Sequence, residues 1–291
     1  MALLYYWRPD NYTRDRAFGF GYHLNQNSSR LAGLARGESL WAFTRRQRDG
    51  LYVLAAELIV RAVTRNVPHY RYGLFRVWGD LERSRYFDID AIGAANIEPV
   101  VRALSVRTRG ARLGQAFQGH AAVRPLTDAD DRLLASVASG LPTLERVAFY
   151  PEDAFEARLI HGNVALERVL AEGVLGHDLR TRYLYESFDP VRARKHVLHL
   201  QDLYEGRCQI CLYDPIDRYG RHLCHAHHIQ WLSRGGEDEL ENLVLICPNH
   251  HAAVHQVDAP FDYAELAFGF VKGVQTWREP LQLNRHLPRA A

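Results

Sequence analysis

A dense run of metal-binding residue types near the C terminus constrains this chain more than any other feature. All four cysteines and seven of the fifteen histidines of the 291-residue sequence lie between positions 208 and 255. Chance scatter is a poor explanation for this concentration, and the run supplies enough donor groups for two separate metal sites. We expect one site to hold the fold together and the other to do chemistry.

The first expected site combines three cysteines and one histidine. Cys208 and Cys211 form a pair separated by two residues, and Cys247 with His250 repeats that spacing. Such a set gives a closed tetrahedral site for zinc. A segment of about 50 residues buries too little apolar surface to be secure alone, and structural zinc contributes roughly 10–16 kcal/mol in small peptides. We therefore expect structural Zn²⁺ to be required for folding.

Two other uses of the cysteines remain open from the sequence. Cys208, Cys211, Cys224 and His227 have the spacing of an ordinary zinc finger, although that choice leaves residues 247–255 without a purpose. Disulfides in a secreted protein are the second option, but the first ten residues lack the basic start and apolar core of a signal peptide. We therefore expect a cytoplasmic protein of a prokaryotic cell. No membrane contact is expected, since no apolar stretch reaches the ~20 residues needed to span a bilayer.

The second set of ligands lies on a predicted frame of two strands and a helix. Residues 221–230 and 243–246 read as strands joined by a Gly-rich loop. Pro248 suits the first turn of the helix that follows. His251 and His255 are four residues apart, so they lie on one face of that helix. The frame is expected to bring these histidines together with those of the first strand around one metal ion.

This frame resembles the HNH endonuclease family, whose fold is the ββα-metal finger. The sequence AHHIQWLSRGGEDELENLVLICPNHHAAVH carries the resemblance, which extends over residues 200–258. It implies hydrolysis of DNA phosphodiester bonds with a divalent cation, Mg²⁺ or Mn²⁺, with Ni²⁺ and Co²⁺ as further options. A phosphodiester has a poor leaving group and a charged centre that repels nucleophiles, and a bound cation offsets the charge that develops.

The family's roles carry over onto five residues of this sequence. His228 aligns with the first histidine of the motif, which implies that it is the general base; an imidazole with a pKa near neutrality suits that task. Asn242 aligns with the asparagine whose amide orients the base and pins the loop. His227 and His251 occupy the positions of metal ligands, and His251 is also the last histidine of the motif. His255 resembles an additional ligand or a phosphate contact.

The N-terminal part has a different character. Residues 1–110 contain 17 arginines and 10 acidic residues, so they carry an excess of positive charge and are the more favourable surface for a nucleic-acid backbone. Apolar segments at residues 3–7, 39–44 and 51–60 read as strands, and residues 18–34 contain a helical stretch. Several strands at short spacing with one early helix predict a β-barrel.

This pattern resembles the PUA superfamily, which includes the EVE, ASCH and SRA domains. The segment RGESLWAFTRR, followed by a long hydrophobic strand, carries the resemblance. Several members bind a modified base, which implies a pocket with aromatic stacking faces and polar groups that read the base edge. The candidates for this pocket are Trp7, Tyr22, Asn25, Asn27, Trp41 and Trp78. Alternatively, these side chains pack in the core of the barrel.

Together these patterns predict an α+β protein in four parts. The parts are a PUA-like reader domain at 1–110, a partly helical connector at 111–199, the HNH nuclease domain with structural zinc at 200–258, and a C-terminal hairpin and tail at 259–291. Within the connector, Thr127 has the character of a helix N-cap, and residues 152–175 show helical spacing.

The combination resembles modification-dependent restriction enzymes. It predicts a metal-dependent endonuclease that acts on double-stranded DNA containing a modified cytosine. Because one finger cuts one strand, a double-strand break requires two protomers or two successive events, and we expect a homodimer. Two other classes remain open, namely an HNH nuclease without modification dependence and a noncatalytic zinc-dependent protein that binds DNA or RNA.

Overall fold

A computed structural model of the chain gives its fold. It describes residues 1–17, 23–80, 82–106, 108, 110, 112–118, 122–144, 190–231 and 236–288. The described residues form two compact units, an N-terminal one that extends to residue 144 and a C-terminal one that begins at residue 190. The helical spacing predicted over residues 152–175 lies outside the described residues.

The N-terminal unit is built on a mixed sheet of seven strands. They are β1 (Ala2–Tyr6), β2 (His23–Gln26), β3 (Ser39–Arg45), β4 (Tyr52–Arg65), β5 (Phe75–Gly79), β6 (Arg85–Tyr86) and β7 (Val123–Leu126). The order along the sheet is β2, β5, β4, β3, β1, β7, and β6 pairs with β4. β1 runs parallel to β3, with Leu4 opposite Trp41, while the other pairs are antiparallel.

Strand β4 is the longest strand because residues 52–60 are an almost continuous apolar run. A run of this kind is typical of a strand with both faces covered, and all nine positions are buried. The pairing register of β4 shifts between Val60 and Ala62, opposite the C-terminal end of its partner β5. Such an irregularity bends a strand, so β4 pairs with β3 along one part and with β5 along the other.

The predicted closed barrel is not seen in the part of the chain that the structure describes. β2 and β7 end the sheet, and no pairing joins these two strands in the described ranges. A barrel requires one ladder of hydrogen bonds that runs continuously around the sheet. The unit is therefore an open sheet with helices, and the predicted α+β character is confirmed.

Three helices accompany this sheet, and the first of them lies earlier than predicted. They are α1 (Pro9–Ala17), α2 (Glu98–Ala103) and α3 (Asp128–Ala138), with 3₁₀ turns at Ser29–Gly33 and Leu113–Phe117. Of the helical stretch expected within residues 18–34, the described residues 23–34 contain the 3₁₀ turn at Ser29–Gly33, which follows strand β2. Helix α1 is polar along most of its length, so apolar periodicity gave no signal for it.

Helix α3 begins at the predicted cap. Thr127 Oγ1 accepts a hydrogen bond from the backbone N–H of Asp130 at 3.2 Å, and Asp130 Oδ2 accepts one from the backbone N–H of Thr127 at 3.0 Å. Burial alone would raise the pKa of Asp130, but hydrogen bonds from Ser105 and Thr127 outweigh it and lower that pKa to about 2. Because β7 pairs with β1, the described residues 112–144 of the predicted connector belong to the N-terminal unit.

The C-terminal unit contains the strand, strand, helix frame that the sequence predicted. Its helices are α4 (Pro190–Leu203), α5 (Pro215–Tyr219) and α6 (Pro248–Val257), with a 3₁₀ turn at Leu240–Asn242. Its strands are β8 (His225–His228), β9 (Leu243–Ile246), β10 (Phe261–Asp262), β11 (Ala267–Lys272) and β12 (Gln275–Pro280). β8 and β9 are antiparallel, and α6 follows β9 directly. Among the described residues, no helix is both long enough and apolar enough to cross a membrane.

The residues after β12 pack on this frame. Arg285 donates its backbone N–H to the Tyr204 hydroxyl at 2.9 Å, and Tyr204 Oη lies 2.5 Å from His286 Nδ1. The other ring nitrogen of His286, Nε2, lies 3.0 Å from the carbonyl oxygen of Leu243 at the start of β9. The segment after β12 therefore connects Tyr204, just after α4, to the β8–β9 hairpin.

Candidate metal centres

The first candidate centre joins a turn after α4 to the start of α6. Cys208 and Cys211 lie in the turn, Cys247 immediately precedes α6, and His250 lies in its first turn. Each residue offers one donor atom, and the four atoms lie within 4.8 Å of one another. The structure thus brings together the four residues predicted to hold zinc.

The distances between the donor atoms fit zinc. Cys247 Sγ lies 3.1 Å from His250 Nδ1, Cys208 Sγ lies 3.7 Å from the same nitrogen, and the sulfurs of Cys211 and Cys247 are 3.9 Å apart. A tetrahedron of zinc–sulfur bonds of about 2.3 Å has edges of about 3.8 Å. Three sulfurs and one imidazole nitrogen are a donor set typical of structural zinc.

The thiols of this cluster favour the charge state that zinc requires. The Cys208 thiol donates to Cys247 Sγ, and this contact, together with the backbone N–H of His250, outweighs burial and lowers the pKa of Cys247 to about 4. The pKa of the Cys208 thiol is raised, first because it donates a hydrogen bond to Cys247 Sγ and second because it is buried. The lowered pKa of Cys247 favours its thiolate form, and thiolate is the form that binds zinc.

Cys224 lies apart from this cluster. All four cysteines are free thiols, and Cys224 is in neither of the two groups of described residues whose donor atoms converge. Burial raises its pKa to about 12, which favours the neutral thiol. His227 belongs to the second group, so the arrangement expected of an ordinary finger built on Cys208, Cys211, Cys224 and His227 is not formed.

Gln209, between the first two cysteines, fixes the position of their turn. The side chain of Gln209 is fully buried, and its Oε1 accepts a hydrogen bond from the backbone N–H of Leu245 at 2.7 Å. The backbone N–H of Gln209 donates to the carbonyl oxygen of Leu245 at 2.8 Å. Its Nε2 donates to the carbonyl of Leu283 at 2.9 Å. These bonds join the cysteine turn to strand β9 and to the C-terminal segment.

The second candidate centre is made of three histidines. His227 lies on β8, and His251 and His255 lie one turn apart on α6, with one nitrogen from each within 4.8 Å of the others. The ring centroids of His227 and His255 are 4.7 Å apart, and those of His251 and His255 are 4.5 Å apart. His227 and His251 are buried and His255 is half-buried, so a metal ion would be reached from the side of His255.

His228, the predicted general base, faces a carboxylate. Its Nε2 lies 3.1 Å from Asp238 Oδ1, and both side chains are buried. Successive side chains of a strand point to opposite faces, which explains why His227 turns toward α6 while His228 turns toward the loop that holds Asp238. This contact restricts rotation of the His228 ring.

Asn242 holds both ends of the loop between β8 and β9. Its Oδ1 accepts from the backbone N–H of Gln230, and its Nδ2 donates to the carbonyl oxygens of Gln230 and Glu237, each at 2.8 Å. Its own carbonyl accepts from the backbone N–H of Ile229 at 2.8 Å. The Asn242 side chain therefore forms hydrogen bonds with the loop backbone. These are the contacts that a role in fixing the loop would require.

The residues predicted to line a modified-base pocket are packed in the N-terminal unit. Trp7, Trp41 and Trp78 are buried, and their indole N–H groups donate to Asp15 at 3.0 Å, Asp131 at 2.6 Å and Thr64 at 2.8 Å respectively. Asn25 Oδ1 accepts from Asn66 and Arg76, Asn27 Oδ1 accepts from the backbone of Leu74, and Tyr22 lies outside the described residues. A pocket built from these tryptophans would need at least one ring to become accessible.

An arginine-lined pocket opens elsewhere on the N-terminal unit. Its volume is about 500 Å³, and its lining includes Arg16, Arg45, Arg46 and Arg48 beside Tyr12 and Asp90. Arg46 pairs with Asp49 at 2.6 Å, and Arg16 pairs with Asp90 at 2.8 Å. The lining thus contains four arginines and one carboxylate, that of Asp90, which leaves a positive excess suited to phosphate.

Comparison with known families agrees with the geometry of the C-terminal unit. Residues 208–256 match the family model of the HNH endonuclease. The matched segment holds both candidate metal centres, His228 and Asn242. This match over residues 208–256 supports a nuclease. No curated protein matches the whole chain or a part of it at the significance threshold applied.

Three residues at these centres were not predicted from the sequence. Gln209 and Asp238 lie inside the matched segment, and Glu279 on β12 lies 3.2 Å from His250. Asp238 was not predicted because the acidic residues around it are typical of an ordinary polar loop. Glu279 is far from the ligands in sequence, so only the pairing of β11 with β12 brings it close.

Proposed function

We propose that this protein is a metal-dependent DNA endonuclease. The observation that carries the proposal is the convergence of His227, His251 and His255, within a segment that matches the HNH endonuclease family and that also holds the buried His228. Three imidazoles leave positions open on a metal ion for phosphate and water, whereas the closed set of three cysteines and His250 does not.

The proposed reaction is hydrolysis of a phosphodiester. A divalent cation held by the three histidines would offset the negative charge that develops on the phosphate and the leaving oxygen. His228 accepts a proton from water while the water oxygen forms a bond to phosphorus. The bond from phosphorus to the 3′ oxygen breaks, and that oxygen takes a proton from solvent. General-base catalysis of this kind contributes typically 10²–10⁴-fold in rate.

Two further side chains support this step in the proposal. Asp238 holds the His228 ring in one orientation through the 3.1 Å contact. Asn242 fixes the loop that carries Asp238, because it bonds the backbone at both ends of that loop. Their proposed contributions are positional, since Asp238 acts through the His228 ring and Asn242 acts through the loop backbone.

The donor set favours a transition metal over magnesium. Imidazole nitrogen suits zinc, copper, iron and nickel, whereas carboxylate, carbonyl and water oxygens suit magnesium and calcium. For a nitrogen site the affinity rises from Mn²⁺ through Co²⁺ to Ni²⁺. We therefore expect Ni²⁺ or Co²⁺ to support cleavage at lower concentration than Mn²⁺, and Mn²⁺ at lower concentration than Mg²⁺.

The test of metal dependence is cleavage of supercoiled plasmid by zinc-loaded protein. Reactions would contain EDTA alone or a graded concentration of one of the four cations. Nicked product that appears only with added cation supports the proposal. Equal cutting in EDTA, or no cutting with any of the cations while the protein still binds DNA, would contradict it and favour a noncatalytic binding protein.

We also propose that the N-terminal unit directs the nuclease to DNA with modified cytosine. The support is its net positive charge, the arginine-lined pocket and the pattern resemblance to PUA-like domains. The pocket would contact the phosphate backbone, while an aromatic pocket for the base would require movement of a buried ring. The test uses matched duplexes with cytosine, 5-methylcytosine, 5-hydroxymethylcytosine or glucosylated 5-hydroxymethylcytosine. Cutting of a modified duplex alone supports a reader, and equal cutting of all four leaves only the nuclease.

A homodimer is proposed for double-strand cleavage. One three-histidine centre cuts one strand, so two copies must act together to break a duplex in one encounter. The nicked and linear products of a plasmid distinguish the cases. Linear product that rises more steeply than nicked product with protein concentration supports two cooperating copies, whereas nicked product alone at all concentrations contradicts them.

A further inference from the structure

The C-terminal hairpin places a carboxylate on the outer side of the cysteine-rich centre. Glu279 lies on β12 opposite Phe268 of β11, and its Oε2 is 3.2 Å from His250 Nε2. Its Oε1 accepts a hydrogen bond from the indole N–H of Trp277 at 3.2 Å. The carboxylate is therefore held on the hairpin and directed at a candidate zinc ligand.

The two nitrogens of the His250 ring have separate surroundings. Nδ1 faces the thiols of Cys247 and Cys208 at 3.1 and 3.7 Å, which makes it the nitrogen that would bind the metal. Nε2 faces Glu279 on the other side of the ring. Apart from this 3.2 Å contact, Glu279 Oε2 is a buried oxygen with no hydrogen-bond partner in the described part of the chain.

This arrangement has a definite consequence once a metal binds the ring. An imidazole that ligates through Nδ1 carries its proton on Nε2, and a carboxylate beside that nitrogen accepts the proton's hydrogen bond. The bond fixes the orientation and tautomer of the ring and makes the imidazole a stronger ligand. Loss of such an outer partner typically weakens metal binding 10–100-fold.

We propose that Glu279 is the outer carboxylate of the zinc centre and that the β11–β12 hairpin is part of the metal-binding module. This inference rests on zinc binding by Cys208, Cys211, Cys247 and His250, and it places a functional residue beyond the matched segment 208–256. An ordinary surface ion pair at the same position would contribute little to stability and would leave metal affinity unchanged. Metal affinity therefore separates the two roles.

The test compares Glu279→Gln and Glu279→Ala with the matched control Glu265→Gln. Glu265 lies just before β11 and forms an exposed ion pair with Arg278 of β12, so its change removes a carboxylate contact of the same hairpin without approaching His250. Each full-length protein would be loaded with Co²⁺ in place of zinc and equilibrated in chelator-buffered solutions of graded free Co²⁺. The thiolate-to-cobalt charge-transfer absorption would be followed, because it reports the cysteine centre and not the three-histidine centre.

We expect Glu279→Ala to weaken Co²⁺ binding at this centre roughly 10- to 100-fold, with a smaller loss in Glu279→Gln, whose amide oxygen still accepts a hydrogen bond. Glu265→Gln should bind as the wild type does. Affinity of both Glu279 variants within twofold of the wild type would overturn the proposal. If Glu279→Ala fails to fold, Glu279→Gln alone decides it. Absence of the charge-transfer band in the wild type would instead refute the zinc assignment, and the role of Glu279 with it.

Discussion

Replacement of Asn242 by aspartate should destabilise the HNH domain although the two side chains have nearly the same shape. The aspartate keeps an oxygen that can accept from the Gln230 N–H. It places a second oxygen where Nδ2 donates to the carbonyls of Gln230 and Glu237. Two hydrogen bonds are replaced by contacts between acceptors, and a buried carboxylate loses solvation.

The magnitude follows from the number of bonds. Asn242→Ala removes three hydrogen bonds, worth about 1 kcal/mol each, so we expect the free energy of unfolding of the C-terminal unit to fall by about 3 kcal/mol. Asn242→Asp should cost at least as much, because repulsion between oxygens is added to the two lost bonds. With an m-value of about 2 kcal/mol/M, the urea midpoint should fall by roughly 1.5 M.

The assay is urea unfolding of the zinc-loaded protein, followed by fluorescence of Trp231 and Trp277 in the C-terminal unit. The control is Asn249→Asp, the same chemical change at an exposed position in the first turn of α6. A negative charge is favourable near a helix N terminus, so this control should unfold at the wild-type midpoint or slightly above it. An unchanged midpoint for Asn242→Asp would refute the described role of the amide.

Three further outcomes are expected. Cys211→Ser should lower the zinc bound per chain and unfold the C-terminal unit, whereas Cys224→Ser should keep its zinc, as measured by metal analysis and circular dichroism; equal zinc loss in both would contradict the ligand assignment. The hydrogen-bonded Asp130 has its pKa lowered to about 2, so its contribution to stability is present above about pH 4 and is lost as the pH falls toward 2. Acid unfolding of the N-terminal unit should show this loss, and Asp130→Asn should flatten it; an identical acid profile in the variant would count against the cap. Arg45→Glu should weaken DNA binding and reduce the slope of log affinity against log salt by about 1 or more, while the exposed Arg132→Glu on α3 should not, and equal slopes would remove the pocket from the DNA interface.

The residues of the two candidate metal centres could be predicted from the sequence in part because the geometry of four of them is local. Cys247, His250, His251 and His255 lie on one helix or at its start, where spacings of three and four residues place side chains on neighbouring faces. The pairing of β8 with β9 follows from two short segments on either side of one turn-rich loop. The chemistry of each donor set therefore followed from residue type and spacing.

The remaining features depend on contacts between distant segments. The parallel pairing of β1 with β3 and the position of β7 beside β1 determine that the described sheet is open, and no periodicity within a strand encodes its neighbours. Asp238 and Glu279 acquire their partners only through the loop and the hairpin that bring them near His228 and His250. The helix α1 was missed because its polar sequence hides the apolar spacing on which helix prediction relies.

The most direct test of the nuclease proposal is single-turnover cleavage by His228→Ala. DNA affinity and zinc content would be measured on the same preparations at a saturating concentration of the activating cation. Because the cysteine centre and the three-histidine centre keep all their ligands, we expect unchanged zinc content and DNA binding with a rate at least 100-fold below that of the wild type. Cleavage within tenfold of the wild-type rate would contradict the assignment of His228 as the general base.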